Sequence, residues 1–141
     1  MNRIDITVPG LAAPKSVTFT RHGAYNNKRV RSWMDQVATW THVAIRTEKV
    51  PIPKDTPIGI MVDVYLPWPK ATPKKRAAEN GPHLQKPDAD NLLKPIVDAL
   101  SEAGLWEDDN QLDRMFIQKW RCPIGQERAE IVVTWAATKE D

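Results

Sequence analysis

The stretch from residue 86 to residue 114 constrains the fold most, because it combines a helical repeat with a high density of acid. It holds eight acidic residues. Gly104 is placed to end a helix as its C′ residue, and Asp90 or Asn91 is placed to cap its start. Apolar residues lie between these signals at the i, i+3, i+4, i+7 spacing of one helix face: Leu93, Ile96, Val97, Leu100 and Ala103. The stretch therefore predicts an amphipathic helix with acidic groups at both ends.

The chain after this helix is long enough to return to its start. From Gly104 to Asp109 is five residues, which extend about 17 Å, so Asp109 can approach Asp88 and Asp90. Three gathered carboxylates repel one another unless a cation lies among them. Hard oxygen ligands favour Mg²⁺, with Mn²⁺ as a substitute. Lys94 lies one helical turn after Asp90 and can reach the same place.

The spacing alone is also compatible with a plainer interpretation. Acidic residues at a helix start interact favourably with the helix dipole. The residues after Glu107 are equally typical of a simple turn.

The residues PDADNLLKPIVDAL, followed by GLWEDDNQ, closely resemble the RusA family of Holliday-junction resolvases of bacteria, phages and prophages. That family has an Asp-x-Asp-Asn-Leu run, a lysine four residues after the second aspartate, and a Trp-x-Asp-Asp-x-Gln run beyond the helix. By position, the resemblance implies that Asp88, Asp90 and Asp109 are catalytic residues that bind the metal and that Lys94 is the catalytic lysine. A weaker similarity extends over most of the chain.

The function implied is a Mg²⁺-dependent, structure-selective endonuclease. It would resolve four-way (Holliday) junctions by paired phosphodiester hydrolysis in DNA recombination and repair. Lys94 would stabilise transition-state charge or orient water, and Asp98, one turn later, is placed to pair with it.

The alternative function is a non-catalytic junction-binding module of the same fold. A Ca²⁺-stabilised domain ranks below both, because no EF-hand spacing is present. A base deaminase would need zinc ligands that the sequence lacks.

Basic residues are concentrated outside the acidic stretch. Residues 15–54 hold eight basic side chains against two acidic ones, and residues 70–86 hold five against one. Such surfaces suit a polyanion, although many charge runs are merely solvated. We call residues 68–87 the basic loop and expect it to be mobile, with Trp68 anchoring its base. The predicted DNA-binding residues are Lys28, Arg29, Arg31, Lys70, Lys74, Lys75, Arg76 and Lys86.

Length and composition limit the architecture. A chain of 141 residues with 41% hydrophobic residues predicts one globular domain over residues 1–141. No apolar run is long enough for a membrane span, so a cytoplasmic setting in a bacterial host or as a phage product is expected. One cysteine and three scattered histidines give no zinc motif. Six tryptophans and the two-fold symmetry of a junction favour a homodimer.

The remaining patterns predict the order β-β-α-β-α-β-β. Strands are expected at residues 3–8, near Val17 and Phe19, and at 58–66, with a helix at about 29–46 and a loop at 21–29. Strands at 112–122 and 129–136, joined by a turn at 123–125, predict a C-terminal hairpin. The predicted fold class is α+β: a mixed or largely antiparallel sheet with two helices packed on one face.

Overall fold

A mixed five-stranded sheet forms the centre of the fold. The computed structural model describes residues 2–48 and 52–136, with the side chains of 17–20 and 24–26 not described. In chain order the elements are β1 (Asn2–Pro9), β2 (Val17–Thr20), β3 (Gly23–Asn26), α1 (Lys28–Glu48), β4 (Ile58–Pro67), α2 (Lys74–Ala77), β5 (Gly81–Pro82), α3 (Ala89–Glu102), a 3₁₀ turn (Asp109–Gln111), β6 (Leu112–Cys122) and β7 (Arg128–Trp135). The sheet order is β1-β7-β4-β6-β5, and β2 pairs with β3 separately.

Two long helices cover one face of this sheet, as predicted. Every second residue of β1 is buried, at Ile4, Ile6 and Val8, so one strand face contributes to the core. The inner residues of β4 and β7 join the same apolar cluster as the buried stripes of α1 and α3. The fold is therefore the predicted α+β arrangement. None of the described helices combines the length and the apolar character that crossing a bilayer requires.

The predicted C-terminal hairpin is wrong. A turn at Pro123 does reverse the chain, since Gln126 N donates to Pro123 O at 3.1 Å. However, β4 lies between β6 and β7, pairing parallel with β6 and antiparallel with β7. The physical reason is that β4, which is apolar and buried along one face, lies inside the sheet and needs a hydrogen-bonded strand at each of its edges. Alternating apolar residues mark a strand without naming its partner.

Two further boundaries differ from the predictions. The predicted loop at 21–29 contains β3, which pairs antiparallel with β2, and the first residues of α1. Gly23, with φ of 119°, takes a conformation suited to a tight reversal between these two strands. The residue capping α3 is Asp88 rather than Asp90 or Asn91. Helical bonding starts there because Leu92 N donates to Asp88 O at 3.2 Å.

The basic loop has local structure, comprising α2 and β5. Trp68 anchors it as predicted: its indole N–H donates to Glu79 O at 2.8 Å, and its ring lies 5.4 Å from the Arg76 guanidinium. A Cβ atom on Gly81 would come within 2.8 Å of the same indole, so glycine permits this close approach. The mobility expected of this loop stays a prediction.

Candidate active site

The first turns of α3 place an acid and a base on one helix face. Asp90 lies in the first turn, and Lys94 follows four residues later. Both side chains are exposed. Lys94 Nζ contacts Asp98 Oδ1 at 2.6 Å, which is the predicted pair. Asp98 therefore restrains the ammonium group along the helix.

The end of α3 turns the chain back towards this face. Gly104, with φ of 84°, is the predicted C′ residue. Leu105 N donates to Leu100 O at 3.2 Å and Gly104 N to Ser101 O at 3.0 Å, the paired bonds of a Schellman motif. Leu105 and Trp106 are then buried in the core. Burial of these side chains fixes the path of the chain into the acidic turn that follows.

Asp109 is held as an ionised carboxylate. The Trp106 indole donates to Asp109 Oδ1 at 2.7 Å, and this bond is the main reason that the pKa of Asp109 lies below its usual value. Partial burial opposes the shift, while a hydrogen bond from Ser101 and the charge of Lys94 add to it. The carboxylate is thus charged and oriented before any ligand binds.

The 3₁₀ turn that carries Asp109 is braced by Gln111. The Gln111 amide donates to Pro53 O at 3.1 Å and Thr56 O at 3.0 Å, while its oxygen accepts from Asp108 N at 3.1 Å. The Asp108 carboxylate in turn accepts from Asn110 N at 2.9 Å. The reciprocal cap between Asp108 and Gln111 stabilises the turn, and the bonds from the Gln111 amide attach it to the loop that precedes β4.

Three of the four predicted catalytic residues share one cleft of about 270 Å³. We call it the acidic cleft, and Asp90, Lys94 and Asp109 supply its polar groups. Its apolar lining is Leu93, Val97, Leu112 and Met115. The fold-back predicted from chain length therefore brings Asp109 to the helix start.

Asp88 lies elsewhere. It lines a neighbouring cleft of about 490 Å³ with Lys15, Lys86 and Asn91. Its side chain makes no capping hydrogen bond to α3. In the described part of the chain, no three acidic, histidine or cysteine side chains converge closely enough to hold a metal. The gathering of all three carboxylates thus stays a prediction.

The donors of the acidic cleft nevertheless fit a hard divalent cation. Asp90 and Asp109 offer carboxylate oxygens at one opening, and Asp109 is already charged. Mg²⁺ needs few protein ligands, because it keeps waters and accepts phosphate oxygens. Two carboxylates beside a lysine suit that chemistry.

The predicted DNA-binding residues are divided among three places. Lys70, Lys74, Lys75 and Arg76 are exposed on the basic loop, and Lys86 lines the cleft of Asp88. Lys28 and Arg29 are exposed at the start of α1. Arg31 differs, because its guanidinium pairs with Asp35 at 2.9 Å and Glu102 at 3.0 Å. Those pairs favour a structural role for Arg31, linking α1 to α3. Tyr25 precedes Lys28 and Arg29 in the sequence and would also suit a phosphate contact, but its side chain is not among those that the structure describes.

Several supporting residues received no predicted role from the sequence. Trp106 and Ser101 hold Asp109, Gln111 braces its turn, and Lys15 lines the same cleft as Asp88. The Trp-x-Asp-Asp-x-Gln run contains two of these, and its fixed spacing was the available signal. Lys15 is distant in sequence and gave no such signal.

A comparison with protein families identifies the chain. The family model described as endodeoxyribonuclease RusA matches residues 9–134, which include every residue of the acidic cleft. No curated protein matches the chain. Since the matched region covers nearly all of the sequence, this chain belongs to the RusA family of endodeoxyribonucleases.

Proposed function

We propose that this protein is a Mg²⁺-dependent endonuclease that resolves four-way DNA junctions by paired incisions, in DNA recombination and repair. The observation that carries the proposal is the acidic cleft, where Asp90, Lys94 and Asp109 open to one space. The RusA family assignment supports a nuclease. The choice of branched DNA rests on the Holliday-junction specificity implied by the sequence resemblance.

The cleft residues divide the work of phosphodiester hydrolysis. Asp90 and Asp109 would hold the divalent ion, and Asp88 would join them from the neighbouring cleft. When bound, such an ion activates water and stabilises the leaving oxygen. The 2.7 Å hydrogen bond from the Trp106 indole fixes the orientation of the Asp109 carboxylate. Lys94, restrained by Asp98, presents its ammonium to the phosphate oxygens as their negative charge grows.

Basic residues around the cleft would hold the DNA. Lys86 and Lys15 lie beside Asp88, and the lysines of α2 extend the positive surface onto the basic loop. Each phosphate contact releases condensed counterions, so binding should weaken steeply with salt. About six neutralised phosphates would give a slope near −5 for log K against log[salt].

A junction-cleavage assay tests this function directly. A four-way junction with one labelled strand at a time should be cut in opposed strands with Mg²⁺ or Mn²⁺, and remain intact with a chelator. An unbranched duplex of the same sequence is the control substrate. Tight junction binding without cleavage at any Mg²⁺ concentration would favour the non-catalytic binding module instead.

We also propose that the protein acts as a homodimer, because two incisions need two acidic clefts. The sheet face opposite the helices supports a second copy as the occupant. Its middle row is apolar, with Met61 paired to Phe116 on one side and Val132 on the other. Met61 is 52% exposed and Phe116 68% exposed. Charged residues of both signs surround that row: Arg3, Asp5, Asp63, Arg114, Arg128 and Glu130.

That charge pattern suits a two-fold contact better than it suits DNA. In a symmetric pair, each basic side chain can face an acidic one of the partner. A polyanion would instead meet three carboxylates on this face. Sedimentation at micromolar concentration should show twice the chain mass. Phe116→Glu should give monomers, while Leu84→Glu, a matched change on the basic loop, should not. A Phe116→Glu protein that stays dimeric would exclude this face.

A further inference from the structure

Lys119 joins strand β6 to the chain segment that leads into Asp88. It lies in register with buried Val64, so its side chain emerges on the helix-covered face of the sheet. Its ammonium donates to two backbone carbonyls, Gln85 O at 2.8 Å and Pro87 O at 2.9 Å. Asp88 is the next residue after Pro87. One side chain thus fixes the backbone immediately before a predicted metal ligand.

This lysine is poorly suited to gripping DNA. Its side chain is half-buried, whereas the lysines of α2 are exposed. An ammonium group has three N–H donors, and the two carbonyls occupy two of them. Its charge therefore serves the protein backbone rather than a phosphate.

We propose that Lys119 is a positioning residue for Asp88, a role that rests on the proposed metal-dependent function. The Asp88 carboxylate makes no capping hydrogen bond to α3, so its place depends on the backbone that carries it. On the helix side, Asp88 O accepts from Leu92 N at 3.2 Å. On the loop side, the contacts of Lys119 with Gln85 and Pro87 hold the backbone. These contacts fix the backbone on both sides of Asp88, whose carboxylate would join those of Asp90 and Asp109 in holding the ion.

Arg121 provides a matched control on the same strand. It is also half-buried, lies two residues further along β6, and donates to Pro67 O and to the Gln85 side-chain oxygen, each at 2.8 Å. It therefore holds the base of the basic loop without contacting Pro87. Loss of Arg121 should loosen the loop and leave the position of Asp88 unchanged.

The test measures metal binding apart from cleavage. Mn²⁺ binding to DNA-free protein, followed by electron paramagnetic resonance, should weaken about 10-fold or more in Lys119→Met, as for other residues that orient ligands. Lys119→Arg, which can still donate to both carbonyls, should recover most of that affinity. Arg121→Met should bind Mn²⁺ like the wild type. The Mg²⁺ concentration for half-maximal cleavage should shift in the same order.

A double-variant cycle separates positioning from general stability. If Lys119 acts through Asp88, then adding Lys119→Met to an Asp88→Asn protein should cause no further measurable loss of Mn²⁺ affinity. Circular dichroism reports whether each variant folds. Lys119→Gln, which keeps an uncharged NH₂ donor group, replaces Lys119→Met if the latter does not fold.

Three results would overturn the proposal. They are unchanged Mn²⁺ binding in Lys119→Met, an equal loss in Arg121→Met, or full additivity with Asp88→Asn. In each case the wild type would still bind Mn²⁺ and cut junctions, so the proposed function would stand. A wild type that neither binds Mn²⁺ nor cuts would overturn both.

Discussion

The acidic cleft and the basic loop differ in how deeply the helices that carry them are buried. The cleft is built on α3, whose inner residues Leu92, Ile96 and Leu100 are fully buried. The basic loop instead presents its charges on α2, a four-residue helix with no buried residue. Catalysis needs groups held within fractions of an ångström, whereas binding to a charged backbone needs mainly positive charge within reach. The difference in burial matches the separate requirements of the proposed phosphodiester cleavage and the proposed DNA binding.

The largest expected effect comes from changing the cleft. Asp90→Asn should lower the junction-cleavage rate about 100-fold or more, because it removes the negative charge of a proposed metal ligand. Junction binding should persist or tighten, since one fewer carboxylate repels the phosphates. Single-turnover cleavage and gel-shift titrations measure the two effects.

Asp113→Asn is the matched control for that change. Asp113 is an exposed carboxylate outside the acidic cleft, paired with Arg114 at 3.2 Å. It should cut like the wild type. Wild-type cleavage by Asp90→Asn would remove Asp90 from the site.

The next effect should come from the charges of the loop. Lys74→Ala with Lys75→Ala should make the slope of log K against log[salt] shallower by about 1.8, since two phosphate contacts are lost. The cleavage rate of saturated enzyme should not change. The paired control is Arg46→Ala with Lys54→Ala, two exposed basic residues away from the loop. Equal slopes in both double variants would show that α2 does not contact DNA.

A smaller effect should follow from loosening the loop without altering its charge. Trp68→Phe removes the hydrogen bond to Glu79 O while retaining a ring beside Gly81. Local opening of the loop should become easier by about 1 kcal/mol. Hydrogen exchange of the amides between residues 76 and 81 measures this.

Trp120→Phe serves as the control for the loop experiment. It removes an equivalent indole hydrogen bond, to Asp63 at 2.9 Å, which joins β6 to β4. Exchange in the loop should then stay at the wild-type rate. If Trp68→Phe also leaves exchange unchanged, its indole bond does not hold the loop.

The smallest effect concerns pH. Burial lowers the pKa of His83, and the charges of Arg121 and Lys119 lower it further. The unfolded chain then binds a proton more readily than the folded one, so stability falls as pH drops below about 6.5. Urea unfolding of His83→Gln should show a flatter dependence between pH 7 and pH 5. The exposed His42→Gln is the control, and an equally flat curve there would contradict the assignment.

Local patterns predicted elements well and pairings poorly. The helical repeat located α3 because burial of one face dictates its spacing, and Gly104 marked its end. The alternation in β6 and β7 located both strands, yet the short connection at Pro123 suggested a hairpin that β4 interrupts. Which strands pair depends on contacts between distant residues, such as Val62 with Ile117 and Ile131, and no local period encodes them.

In the candidate site too, neighbouring residues could be placed from the sequence and contacts between distant residues could not. Asp90 and Lys94 could be placed together because one helical turn separates them. Asp109 required the fold-back, which the length of the connection allowed and the burial of Trp106 achieves. The role proposed for Lys119 could not be predicted from the sequence, because its partners Gln85 and Pro87 lie more than thirty residues away and are contacted through backbone atoms.

The position of β7 has a consequence for biosynthesis. This strand lies between β1 and β4, and Asn2 is in register with Trp135. During translation, β1 emerges before β7 and has no sheet neighbour until almost all of the described chain has been made. The nascent chain must keep the apolar residues of β1 and β4 from pairing wrongly during that time. A ribosome stalled before β7 would therefore hold a chain with two unsatisfied strand edges, a suitable substrate for chaperones or proteases.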